Sequence, residues 1–337
     1  MNSQATPLLE FEDVRKQYVL GDGLLDRLTG RRRQLLALDG VSLTVREGEV
    51  LGLVGESGSG KSTLAHMAVR LTVPSAGRIK YRGEDLTGKT GRALRGFRER
   101  VQMVFQDTGS SLNPRKTIGY TLREALAMRR VPRPERPTQA VSLLVAVGLG
   151  EFVLPRYPHQ LSGGQRQRVA IARSLAMRPE FLVADEPVAS LDVSLQAQII
   201  NLLQKLRVEL GLTLLFISHD LALVNHISTR VAVMYAGRIV EEGLPDEVLG
   251  GAAHPYTRAL LSAVPRGIKG RRMAREPVSG GPPDPSDLPP GCRFAPRCPS
   301  VEAVCRERRP EAVALSMTHR AACHFAGQLP AAAEAIS

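Results

Sequence analysis

Residues 55–63 read GESGSGKST, and they follow VLGLVG at 50–55, a β-rich apolar run. The stretch fits G-x-x-x-x-G-K-S/T in the setting that pattern requires, a strand entering a loop that opens a helix. Gly55, Gly58 and Gly60, with Ser57 and Ser59 among them, let successive backbone N–H groups close around a β-phosphate. The start of the next helix adds the positive end of its dipole. Lys61 is placed to reach β- and γ-phosphates, the Ser62 hydroxyl to ligate Mg²⁺, and Thr63 to complete the loop. By itself the pattern says nucleotide phosphate and no more. The bland alternative is a glycine-rich turn.

FLVADEP at 181–187 supplies a second half: four apolar residues, then adjacent carboxylates at a strand end. Two acids closing a buried strand are rarely structural, because an unpaired buried charge is expensive. Asp185 is expected to hold the Mg²⁺ shell through water, and Glu186 to polarise an attacking water as general base.

Around these two stretches, residues 8–265 alternate short apolar runs with helical periodicity, the pattern of an α/β domain with a largely parallel core sheet. VLGLVG, VQMVFQ (101–106), FLVADE and TLLFISH (213–219) read as buried strands. Leu195, Ile199, Leu202, Leu203, Leu206 and Leu210 recur at helical spacing, and Gly211 can cap that helix. VAVMYAGRIVEEG (231–243) reads as a hairpin, and about 107–175 reads as helical. After Pro265 the composition changes. REPVSGGPPDPSDLPPG (275–291) is a Pro/Gly linker inside a C-terminal extension, 266–337.

The 337 residues carry 45 Lys and Arg against 33 Asp and Glu, a net charge of +12. The excess does not form a basic tail: from Arg266 onward there are 11 basic and 7 acidic residues, only +4. With no Trp and 4% aromatics the chain lacks a stacking platform for bases, so no nucleic-acid partner is expected. Phosphates and anionic lipid are the better readings of the charge. The opening MNSQATPLLEFEDV has early acids and no apolar run, so no signal peptide is read there. No uncharged apolar stretch reaches the roughly 18 residues a membrane helix needs. A cytosolic setting with reduced thiols follows as the expectation.

LSGGQRQRVAIARSL at 161–175 decides which nucleotide protein this is. Together with the two stretches above, it resembles the ATP-binding subunits of ABC transporters. That resemblance implies a P-loop nucleotide-binding domain with a RecA-like core, an antiparallel β subdomain and a helical subdomain. It implies that Gln106 is the Q-loop glutamine that touches Mg²⁺ and senses the γ-phosphate. Ser162, Gly163, Gly164 and Gln165 match the signature loop, which contacts ATP held by the opposite subunit. Asp192 matches the D-loop in ASLD where SALD is commoner, His219 the switch histidine, and Tyr18 the aromatic that stacks on adenine.

A finer resemblance to the dipeptide/oligopeptide importer branch rests on SSLNPRKTIG (110–119), RYPHQLSGGQRQR (156–168), EPVASLDVSLQAQ (186–198) and HPYTRALLSAVP (254–265). The insertion between Tyr18 and ALDGVSL (37–43) resembles the second of the two paired ATPases of that branch. The implied partners are a paired ATPase subunit, two membrane permeases and, through them, a periplasmic or extracellular solute-binding protein. The implied place is the cytoplasmic face of a bacterial inner membrane. Nickel or metal-chelate import is an alternative cargo, and a soluble non-transport ABC ATPase an alternative role.

All four cysteines lie in the extension, spaced Cys292-x5-Cys298-x6-Cys305-x17-Cys323. Zinc sites prefer C-x2-C hairpins, absent here. Looser spacing and Pro299 after a cysteine suit a 4Fe–4S cluster, and extensions of this branch resemble iron–sulfur sites. Zinc and four unligated buried thiols are the alternatives. The sequence therefore carries the expectation of a structural cluster on these four residues.

Overall fold

The computed structural model describes residues 6–20, 33–107, 111–263, 280–281 and 283–328. Residues 21–32 of the insertion, and 275–279 and 282 of the Pro/Gly linker, lie outside the described residues. The chain divides into two compact units: one of residues 1–45, 50–87 and 218–337, the other of 46–49 and 88–217.

The first unit holds two groups of strands. β1 (Pro7–Leu20), β2 (Arg33–Arg46), β4 (Ala76–Tyr81) and β5 (Glu84–Asp85) form a sheet in the order β2-β1-β4-β5. β1 runs antiparallel to β4, with Phe11 opposite Ile79. Leu8, Leu9, Phe11, Val14 and Ile79 are buried there. The second group starts from β3 (Val50–Val54), which is buried at every position, as a strand covered on both faces must be. It lies parallel to β9 (Arg230–Tyr235), which turns antiparallel into β10 (Arg238–Gly243). The hairpin read from VAVMYAGRIVEEG is thus present.

The extension joins this group. β12 (Arg320–Ala321) pairs antiparallel with β10, Glu241 opposite Ala321, and β11 (Val313–Ala314) pairs with β12. The extension is therefore a continuation of the β10 edge. Pairing an edge strand also satisfies backbone groups that would otherwise face outward.

The second unit carries three parallel strands, β6 (Val101–Val104), β7 (Phe181–Asp185) and β8 (Thr213–Ser218). Between β6 and β7 the described residues hold helices and no strand, as expected. These include α3 (Ile118–Met128), α4 (Arg136–Ala146) and α5 (Gly163–Leu175), following α1 (Lys61–Ala68) and α2 (Arg95–Arg100). Arginines tie their ends: Arg129 donates to Ala176 O at 2.9 Å and Arg168 to Val147 O at 2.7 Å. α6 (Val193–Leu210) buries Ile199, Leu202, Leu203 and Leu206, and ends where Gly211 turns left-handed at φ 65.

α7 (Leu221–Ile227), α8 (Pro245–Gly250) and α9 (Pro255–Ser262) return to the first unit, and α10 (Ala303–Glu307) lies in the extension. The start of α9 is a pH-sensitive point. Pro255 occupies the first helical turn, and His254 caps it, its Nδ1 accepting the Tyr256 N–H at 3.0 Å. That bond requires an unprotonated Nδ1. Burial pushes the imidazole down to about 4, against the opposing pull of Glu241. Below its ordinary value near 6.5 the unfolded chain takes up a proton that the folded chain refuses. Stability is then lost as pH falls from about 6.5 towards about 4, with a slope of up to about 1.4 kcal/mol per pH unit from this group. Denaturant unfolding across that window should show the slope. His254→Asn, which keeps a capping oxygen and removes the titration, should flatten it.

Candidate functional site

The phosphate loop grows out of β3. At two of its glycines, Gly55 and Gly60, a side chain cannot go. A Cβ on Gly55 would stand 2.2 Å from the Met234 carbonyl oxygen of β9. A Cβ on Gly60 would stand 2.7 Å from Ala37 O, on a backbone at φ 108 that L-residues avoid. Gly58 also turns left-handed, at φ 80, but into open space.

Lys61 opens α1 and is only 5% exposed. Its Nζ donates to Gly55 O at 2.7 Å and Glu56 O at 2.9 Å. A buried ammonium costs free energy unless oxygens surround it, and here the loop's own carbonyls do so. The Ser59 Oγ is buried with no hydrogen-bond partner among the described residues. An orphaned hydroxyl near a buried lysine, in a loop with no room for a Cβ at Gly55 or Gly60, fits a phosphate chain. Ser57 and Ser62 are exposed and Thr63 is half-buried.

In the other unit, Asp185 ends β7 and is buried. The next residue, Glu186, sits at φ 44, a left-handed conformation rare outside glycine. Its N–H donates to Ile217 O at 3.0 Å. Gln106, just beyond β6, donates from Nε2 to Glu186 Oε2 at 3.1 Å. Two residues read separately from sequence, 80 positions apart, thus meet. Strain of order 1–3 kcal/mol at a non-glycine left-handed position persists where surrounding structure enforces it, and functional sites are where such residues collect.

The signature loop caps α5. Ser162 Oγ accepts the Gln165 N–H at 3.3 Å and Gln165 Oε1 accepts the Ser162 N–H at 3.0 Å, a reciprocal box. A Cβ on Gly163 or Gly164 would come within 3.3 or 3.2 Å of Leu191 or Leu195, so the glycines set how closely this helix start lies against the D-loop region. Asp192 caps α6 by accepting the Leu195 N–H at 2.9 Å. His219 is exposed, next to Asp220, the cap of α7. Tyr18, near the end of β1, is 37% exposed with the Lys16 ammonium 5.0 Å from its ring centre.

The iron–sulfur expectation is corrected here. Among the described residues no group of three or more His, Cys, Asp or Glu is arranged to hold a metal ion, and all four cysteines are free. Burial pushes the Cys298 thiol up to about 11 and raises Cys292 and Cys323 as well. Cys292, Cys298, Cys305 and Cys323 instead line one small apolar cavity with Phe294 and Phe325.

Sequence reading also missed a set of contacts on the phosphate loop. The Glu56 N–H donates to the Tyr256 hydroxyl at 2.8 Å, and the Glu56 carboxylate accepts from Arg297. The HPYTRALL and CRFAPRC stretches carry these groups, yet nothing in their spacing announces the pairing.

Strand, phosphate loop and buried lysine in one unit, with paired carboxylates closing a strand in the other, define a P-loop ATPase. Comparison with known proteins narrows the class. The family model for ABC transporters matches residues 38–189, and that for the oligopeptide/dipeptide transporter C-terminal region matches 240–305. The chain is 45% identical over 322 residues to the oligopeptide transport ATP-binding protein AppF of Bacillus subtilis, covering 94% of this chain and 97% of that one. It is 44% identical over 306 residues to the dipeptide transport ATP-binding protein DppF of Escherichia coli, covering 90% of each. These relatives are named for ATP binding and transport. Among solved structures, a dimeric post-hydrolysis state of the ATP-binding cassette MJ0796 bound to ADP and Pi matches with a TM-score of 0.63 at 30% identity. That match covers 71% of this chain and 99% of the other. This chain belongs to the ATP-binding proteins of ABC transporters, in the branch that carries the oligopeptide/dipeptide C-terminal region.

The loop geometry separates its glycines. Gly60→Ala, strained and blocked by Ala37 O, should abolish nucleotide binding and lower the melting temperature. Gly58→Ala, strained but unobstructed, should cost about 1–2 kcal/mol and keep measurable binding. Equal behaviour of the two variants in a fluorescent-nucleotide titration and a melt would contradict this account of the loop.

Proposed function

We propose that this ATPase energises a membrane importer for dipeptides or oligopeptides. The observation that carries the reading is the match through the C-terminal region at 240–305, beyond the ATPase core common to ABC transporters. Among the described residues no helix is long and apolar enough to cross a membrane. By its likeness to peptide-transport ATP-binding proteins, the chain is assigned to the cytoplasmic face of the inner membrane, held there by two permease subunits, with a solute-binding protein delivering cargo to them. The ATPase cassette is assigned to 8–265, its helical part to about 107–175, and the extension to 266–337.

In this reading Gly55, Ser57, Gly58, Ser59, Gly60 and Thr63 cradle the phosphates, and Lys61 neutralises them. Tyr18 stacks on the adenine. Ser62 and Gln106, with Asp185 acting through water, would hold Mg²⁺; hydroxyl, carboxamide and carboxylate oxygens are the hard ligands it prefers. When bound, the ion supplies charge neutralisation at the phosphates. Glu186 takes the proton of the water whose oxygen bonds to the γ-phosphorus as the bond to the ADP oxygen breaks. Its contact with Gln106 supports a role for that glutamine in orienting it. His219 contacts the γ-phosphate. Ser162, Gly163, Gly164, Gln165 and Asp192 serve ATP held by a paired ATPase subunit, so that closure and hydrolysis are properties of the pair.

Glu186→Gln should keep ATP binding while hydrolysis falls by at least about 100-fold, and nucleotide-closed dimers should accumulate in size-exclusion runs. Lys61→Ala should weaken binding itself. Wild-type turnover by Glu186→Gln in the assembled transporter would remove its role as base.

The chain alone should turn over slowly, faster with the paired ATPase and permeases, and faster again with liganded solute-binding protein. Full turnover by the isolated chain, indifferent to those partners, would overturn the importer assignment.

A further inference from the structure

Glu56, the second residue of the phosphate loop, is gripped from the far end of the chain. Arg297, 241 residues away, donates from its two terminal guanidinium nitrogens, Nη1 and Nη2, to its carboxylate, at 2.8 and 3.0 Å. This two-point geometry fixes orientation as well as distance. The pair is not a surface accident, since the Arg297 side chain is only 11% exposed. Its guanidinium lies 5.8 and 5.9 Å from the ring centres of Tyr235 and Phe294. Those rings pack edge-on at 5.3 Å, and Phe294 also meets Tyr256, whose hydroxyl accepts the Glu56 N–H. The Glu56 bond holds the guanidinium above its ordinary value against the opposing effect of burial.

The same short stretch reaches the loop by a second route. Arg293, four residues earlier, donates to Asp39 at 2.5 Å and to the carbonyl of Ala236 in the β9–β10 turn. In that turn the Gly237 N–H donates to Ser59 O at 2.7 Å. The stretch is itself anchored, since the Cys292 N–H donates to Cys305 O at 2.8 Å and β12 of the extension pairs with β10. Both routes therefore end on the peptide segment that carries the phosphate site, one at Glu56 and one at Ser59. The carbonyls of Gly55 and Glu56 that receive Lys61 lie at the first of these two anchors.

We propose that the Cys292–Cys298 stretch is a built-in brace of the phosphate loop, and that Arg297 is a positioning residue for ATP binding, acting through Glu56. A loop held in its binding shape binds more tightly than one that must be ordered first, because apparent affinity scales with the competent fraction. The brace acts on affinity and not on the bond-breaking step, in which Arg297 takes no part. The proposal rests on reading residues 55–63 as the phosphate loop.

The test uses the purified full chain titrated with trinitrophenyl-ATP, and the assembled transporter for steady-state rates. Arg297→Met and Glu56→Gln should each weaken nucleotide binding by about fivefold or more, with the loss in KM and kcat held within about twofold. The double variant should bind no worse than the weaker single one, because both changes break one route. Arg297→Lys, a point charge without the fork, should recover part of the affinity. Wild-type affinity in either single variant, or fully additive losses in the double, overturns the brace. If Arg297→Met does not fold, Glu56→Gln, which keeps its size and its N–H bond to Tyr256, decides alone. Lys61→Ala separates the two readings. Wild-type binding by Lys61→Ala removes the phosphate loop itself, whereas lost binding there with intact binding in Arg297→Met and Glu56→Gln removes only the brace.

Discussion

A lysine ammonium that is 5% exposed has to be surrounded by oxygen, and Lys61 takes the carbonyls of Gly55 and Glu56. Much of the first unit follows from that demand. Carbonyls can turn towards a lysine five and six residues ahead only if the loop reverses tightly, which places Gly58 and Gly60 in the left-handed region. The loop must leave a strand that cannot shift, which β3 provides by being buried at every position. It must also lie close to β9 without a side chain between, and so Gly55 faces the Met234 carbonyl.

The carboxylate half follows a different constraint. An acid at the end of a buried strand is costly unless it is put to use or paired. Asp185 is buried and Glu186 is twisted into φ 44, which carries it out of the strand register and into contact with Gln106. The backbone bond from Glu186 to Ile217 O at 3.0 Å keeps this geometry fixed.

What could be read in advance was what repeats locally. Buried strands announce themselves as apolar runs, and β3, β6, β7 and β8 stand where such runs occur. Helix periodicity and a following glycine placed the end of α6 at Gly211. The phosphate loop was legible because its residues are neighbours in the chain. The pairing of β12 with β10, at Glu241 and Ala321, carries no such local signal, and the two-residue strands are too short to show alternation. The cysteines were misread for a related reason. Spacing says which thiols can come together, and these four do line one cavity, but it is silent on whether their arrangement can hold a metal, and among the described residues no such group is formed.

The extension looks, in composition, like a Pro/Gly-rich appendage stapled by its cysteines. Its structure assigns the ordering elsewhere. Phe294 enters a buried aromatic cluster with Tyr235, Tyr256 and His254, at ring separations of 5.3 to 5.9 Å. Aromatic pairs of this kind each contribute about 0.5–1.5 kcal/mol beyond the area they bury. Arg293 and Arg297 flank that ring in sequence and reach charged partners on either side of it, Asp39 and Glu56. One buried ring with two charge-assisted bonds orders a segment that has little apolar bulk, and no metal is needed to explain its fold. Because Tyr256 and Glu56 are also partners, the cluster that orders the extension is continuous with the loop proposed to hold the nucleotide. The part of the chain that distinguishes this branch from other ABC ATPases is therefore built against the part that all of them share.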